Sequence, residues 1–119
     1  MKKKVICFDL DNVLCRTKSN NYKMSKPIKK NINLVNKLFS NGYYIKIFTA
    51  RFMGRSNENQ NLAKKRGFEM TKKQLKKWDL KYHKLILGKP TYDFIIDDKA
   101  YGYNSNWSNK LLKILKDKN

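Results

Sequence analysis

Long apolar runs are missing from this 119-residue chain, as are most of the residues that staple small proteins or carry imidazole chemistry. No stretch approaches the ~20 apolar residues of a membrane-spanning helix. The apolar run after Lys2–Lys4 breaks at Asp9, too early for the apolar segment of a signal peptide. The expectation is therefore a reduced, cytoplasmic protein with no membrane partner. Cys7 and Cys15 are the only cysteines, and neither a CxxC nor a histidine cluster accompanies them, which argues against a disulfide framework or a metal pair. Cys7 sits inside an apolar run and reads as a small buried hydrophobe. The single histidine, His83, reads as a strand-entry residue. No repeat, linker or low-complexity tract divides the chain, so 1–119 reads as one domain with one core.

Acids are scarce. Nine Asp and Glu face 28 Lys and Arg, for a formal charge of +19. A basic face would suit a phosphate backbone. However, only Arg16, Arg51, Arg55 and Arg66 are arginine, Asn is over-used alongside Lys, and the lysines run from end to end. Phosphate-reading surfaces favour the bidentate fork of Arg and concentrate charge on one element. The excess reads as compositional bias with a hint of an anionic substrate, and a nucleic-acid partner is open but not favoured.

Four short apolar runs, Val5–Phe8, Tyr43–Phe48, Leu85–Leu87 and Tyr92–Ile96, read as strands. They are mostly continuous rather than alternating, as in strands covered on both faces, with Lys46 the exception. Between them, Ile28, Ile32, Val35 and Phe39 share one side of a helix over 27–41, with Pro27 at its start and Gly42 past its end. Thr71 and Gln74 have capping-box spacing at the head of a helix over 71–78. Residues 54–60 look loop-like, 62–66 suit a short helix, and 108–116 form a last one. Trp107 and Leu111 read as core. The order predicts an α/β fold, a Rossmann-like, mostly parallel sheet flanked by helices. In such sheets the ligand lies beyond the carboxyl ends of the strands.

Those ends are where the few acids go. The first run ends in Asp9-Leu10-Asp11, the second in Thr49-Ala50-Arg51, the third in Gly88-Lys89-Pro90 and the fourth in Asp97-Asp98-Lys99. A parallel sheet would align all four tips. Asp9, Asp11, Asp97 and Asp98 brought together would repel unless a cation sat among them, and a small all-oxygen site suits Mg²⁺. Thr49, the Ala50 N–H and Lys89 beside it would suit a phosphoryl group. Each motif alone is a turn or a cap; their joint occurrence in this order is what carries weight.

In that order the chain resembles the haloacid dehalogenase superfamily of Mg²⁺-dependent phosphohydrolases. "FDLDNVLC", "IKIFTAR", "LILGKP" and "DFIIDDKA" are similar to the small phosphatases of capsule and surface-polysaccharide biosynthesis. The resemblance implies Asp9 as a nucleophile forming an aspartyl phosphate, and Asp11 as acid for the leaving oxygen and then base for water. It implies Thr49 and Lys89 on the phosphoryl group. Magnesium would be held by Asp9, the Asp11 carbonyl, Asp97 and Asp98. Asn12 stands where relatives commonly carry Gly, and Asn tolerates the left-handed backbone such a turn needs. The stretches 12–48 and 50–88 are consumed by core elements, so no cap domain fits. The site should be open, or closed by a second subunit or by the polar stretches 16–26 and 51–60. Ala50, Arg51, Arg55 and Lys99 are candidates for binding an anionic substrate. The favoured function is hydrolysis of a sugar phosphate. The alternatives are a phosphatase for nucleic-acid ends or phosphoproteins, and a non-catalytic basic binding protein.

Overall fold

Three apolar strands pair in parallel to form the sheet that positions everything else. A computed structural model describes residues 4–118, and Lys2 and Lys3 of the basic N-terminal run lie outside the described residues. In chain order the elements are β1 (Val5–Phe8), β2 (Cys15–Arg16), β3 (Lys26–Pro27), α1 (Lys29–Ser40), β4 (Tyr44–Thr49), α2 (Gln60–Lys77), β5 (Lys84–Leu87) and α3 (Trp107–Lys118). The sheet order is β1-β4-β5, with Phe8 opposite Ile47 and Thr49 opposite Leu87. β2 and β3 make a separate antiparallel pair.

Side chains alternate across a strand, so one face of the sheet collects Phe8, Ile45, Ile47, Leu85 and Leu87, all buried. Against this core stand Ile32, Val35 and Leu38 of α1, spaced to share one helical face, with Leu75, Trp107 and Leu115. The opposite face, which carries Cys7, Tyr44, Lys46 and Phe48, is half-buried or exposed. Lys46 thus marks the partly solvated face, as its place in an apolar run suggests.

The connections after α1 and α2 begin the same way. After α1, Gly42 takes φ 93°, the Tyr43 N–H donates to the Leu38 carbonyl and the Gly42 N–H to that of Phe39. After α2, Asp79 takes φ 56° and the Leu80 N–H donates to the Leu75 carbonyl. Each is a Schellman ending that satisfies carbonyls the helix leaves orphaned. α2 opens on Asn59, whose side chain accepts the Leu62 N–H.

Several expectations are corrected here. Tyr92–Ile96 forms no strand; the segment is irregular and exposed, with Ile96 99% exposed. Consequently β1 is an edge strand and β4 the central one, and Cys7 is exposed rather than buried. Thr71 caps nothing. It lies inside one continuous helix, on a buried stripe with Ala63, Gly67 and Leu75 at four-residue intervals. Pro27 belongs to β3, and α1 starts at Lys29 with no side-chain cap on Ile28. Among the described residues, no helix is long and apolar enough to cross a membrane.

Candidate active site

Asp9 and Asp11 leave the tip of β1 on either side of Leu10, and that Leu holds them in place. Leu10 is fully buried, and its carbonyl accepts the N–H groups of Val13, Leu14 and Cys15. The turn is completed by Asn12 at φ 66°, the left-handed conformation expected of it. The anchor is apolar, so the two acids beside it stay at the surface end of the core.

They line a cleft of ≈ 300 Å³ together with Asn12, Thr17, Ser19, Asn20, Tyr22, Ala50, Arg51, Gly54 and Thr91. Asp9 Oδ1 accepts the Leu10 N–H at 2.9 Å, and Oδ2 stands 3.7 Å from Lys89 Nζ. Burial raises the Asp9 carboxyl above its ordinary value against the pull of Lys89 and the Leu10 N–H, and the nearby Asp11 adds to the rise. Burial works against the Lys89 ammonium, but its hydrogen bond to Tyr92 and the Asp9 carboxylate outweigh it and raise its pKa. Lys89 also lies over the Tyr92 ring at 5.4 Å. Its own N–H donates to the Thr49 carbonyl, which ties the third strand tip to the second.

Asp11 is engaged differently. Arg51 Nε lies 3.0 Å from both carboxylate oxygens and Nη2 2.9 Å from Oδ1, and Thr17 Oγ1 also donates to Oδ1. Arg51 is 1% exposed. Its Nη1 reaches Gln74 Oε1 at 2.6 Å and Thr71 Oγ1 at 3.5 Å, and Nη2 also donates to Ser25 Oγ at 3.2 Å. A guanidinium has five N–H donors; this one has a protein partner for each. Tyr22 covers its face at 4.9 Å. Arg51, expected to grip substrate, faces inward.

Other expected residues divide in the same way. Ala50 lines the cleft, whereas Thr49 is fully buried, its Oγ1 accepting the Arg51 N–H at 3.1 Å. Arg55 donates to the Asn20 carbonyl at 2.7 Å and lies over the Tyr22 and Phe52 rings, bracing the cleft wall from outside. Asp97, Asp98 and Lys99 are exposed on the irregular segment, where Asp97 Oδ1 accepts the Lys99 N–H at 2.8 Å. The structure does not bring them to Asp9 and Asp11. Among the described residues, no group of three or more His, Cys, Asp or Glu could hold a metal ion. With Arg51 filling the Asp11 carboxylate and Lys89 facing Asp9, the residues as placed do not fit a divalent cation.

The segments 16–26 and 51–60 do wall the cleft, through Thr17, Ser19, Asn20, Tyr22 and Gly54. Their individual residues, and Ser25, Thr71 and Gln74 behind Arg51, went unrecognised in the sequence. The polar stretches 16–26 and 51–60 were the signals for the wall; Gln74 had been read only as the capping-box partner of Thr71. His83 is remote from this chemistry. It joins β4 and β5, its N–H donating to the Ile45 carbonyl at 2.9 Å and its Nδ1 accepting the Ile45 N–H at 3.0 Å. Phe39 and Tyr44 stack on its ring.

No protein-family model and no curated protein matches the chain. Two solved structures are similar to it. One is a crystal structure of a target from Vibrio cholerae, with a TM-score of 0.81 and 24% identity over 98% of this chain and 99% of that one. The other belongs to a Pnkp1/Rnl/Hen1 complex, with a TM-score of 0.53 and 18% identity over 95% of this chain and 34% of that one. At these identities the likeness is one of fold.

Proposed function

We propose that this chain is a phosphomonoester hydrolase of the haloacid dehalogenase type, acting through Asp9. The observation that carries the reading is the placement of Asp9. Its carboxylate stands at a strand tip inside a cleft, oriented by the Leu10 N–H and opposed by the Lys89 ammonium. A carboxylate so held is a nucleophile aimed into the space a phosphoryl group would fill, with a cation ready for the negative charge.

In the proposed reaction an Asp9 oxygen attacks phosphorus and the ester P–O bond breaks. The leaving oxygen takes a proton from Asp11. Water then attacks the aspartyl phosphate, its proton returns to Asp11, the P–O bond to Asp9 breaks, and inorganic phosphate leaves. Magnesium belongs to the proposal through the resemblance, and would require Asp97 and Asp98 beside Asp9. As the acids are placed they do not form that set, so these steps are assigned to the chain's own side chains. A sugar phosphate is the favoured substrate class. The cleft is the size of a small molecule, and the side chains of Asn12, Thr17, Ser19 and Asn20 are uncharged hydrogen-bonding groups.

The test is release of phosphate from an aryl phosphate and from a panel of sugar phosphates, with and without magnesium. Asp9→Asn should lower turnover by about a thousandfold or more. Undiminished activity in that variant would overturn the mechanism.

A further inference from the structure

Arg51 has a buried guanidinium whose every N–H is taken up by the protein, in a cleft proposed to bind an anion. We infer that Arg51 is a positioning residue for Asp11, keyed from α2 by Gln74, and that it serves hydrolysis of the phosphoenzyme rather than substrate binding. The inference rests on the reaction proposed above.

The geometry divides the Asp11 carboxylate into two unequal halves. Oδ1 accepts from Arg51 Nε, Arg51 Nη2 and Thr17 Oγ1, whereas Oδ2 accepts only the shared Nε hydrogen among the described contacts. Once Asp11 has given its proton to the leaving oxygen, the carboxylate left behind is surrounded by donors that hold it as an acceptor, with lone pairs of Oδ2 left for the cleft. The second half-reaction needs such an acceptor: water attacks phosphorus, its proton passes to Asp11, and the bond to Asp9 breaks. Gln74 fixes the fork. Its Oε1 takes Arg51 Nη1, while its Nε2 donates to the Tyr22 carbonyl at 2.8 Å. One amide on α2 therefore holds both the guanidinium and the cleft wall, and Gln74 reaches Asp11 only through Arg51. Lysine could keep the charge but not the planar two-point grip.

Nitrophenyl phosphate isolates this half, because its phenolate leaves without a proton. Rapid mixing of the full chain with it should give, in Arg51→Met, a phenolate burst close to one per enzyme. Steady turnover should then fall on the order of a hundredfold, the cost of a misplaced catalytic group. Intact-mass analysis after acid quenching should show one added phosphoryl group. Gln74→Leu should give the same pattern with a smaller loss, and Arg51→Lys should restore part of the steady rate. A lost burst with a raised KM would make Arg51 a substrate ligand and overturn the inference. Equal losses of burst and steady rate would make its role structural only, with the same result. If Arg51→Met does not fold, Gln74→Leu decides between the same outcomes. Absence of any turnover or phosphoenzyme in the wild-type chain would instead remove the proposed function, and this inference with it.

Discussion

The chain holds two pairs of acids after apolar runs, and they meet opposite fates. Asp9 and Asp11 flank a fully buried Leu, follow a strand paired along its length with β4, and touch Lys89, Thr17 and Arg51. Asp97 and Asp98 follow Phe94, 89% exposed, and Ile96, and the described hydrogen bonds to Asp97 come from Lys99 and Ala100, two and three residues away. The difference lies in the anchor. An acid at a strand tip is only as fixed as the apolar residue beside it and the backbone ladder behind it. Among the described residues β1 has a partner on one side only, and Val5 is 53% exposed and Cys7 exposed.

Stability should separate the two regions most sharply. Arg51→Met would leave the Asp11 carboxylate partly buried without its ion pair, a change that typically costs about 3–5 kcal/mol. Asp98→Asn removes an exposed charge and should cost less than about 0.5 kcal/mol. Urea denaturation of both variants measures the gap, and equal costs would erase the distinction between the two pairs.

A smaller effect, of opposite sign, is expected at Asp9. Its pKa is raised in the folded chain, chiefly by burial. The folded state therefore holds the Asp9 proton more tightly than the unfolded chain does, and stability falls as pH rises from the ordinary carboxylate value through the raised one. At neutral pH Asp9→Asn removes that charge. It should raise the unfolding free energy while abolishing turnover, by less than about 1 kcal/mol because the site is partly open to solvent. The gain should vanish in acid, where the wild-type carboxyl is itself neutral. Melting curves at acid and neutral pH check the sign; destabilisation at neutral pH would show the Lys89 pair to outweigh desolvation.

What could be read ahead of the structure follows the same division. β1, β4 and β5 were legible because each is a short apolar run ended by polar or turn residues, and the tips Asp9, Asp11, Ala50 and Lys89 came with them. The two-residue strands β2 and β3 were not, since a pair of residues has no period. Thr71 resembled a cap because Gln74 follows at the right spacing; its true setting, a stripe of small buried residues, emerges only once Gly67 is seen to admit the Phe52 ring. At that glycine an added Cβ would come within 2.2 Å of the ring. The Arg51 network draws on positions 11, 25, 71 and 74, which no local pattern links. Tyr92–Ile96 has the composition of a strand, but composition says what a segment is able to pair with, not that it pairs.

That last segment carries the smallest expected effect. Phe94 and Ile96 are exposed, so Phe94→Ser and Ile96→Ser should leave the free chain's unfolding free energy within about 0.5 kcal/mol of wild type. Were either side chain packed, its loss would cost about 2–5 kcal/mol. Parallel urea titrations of the wild-type chain and the two serine variants measure the difference. A destabilised serine variant would place the segment in the folded core, and the contrast between the two acidic pairs would collapse.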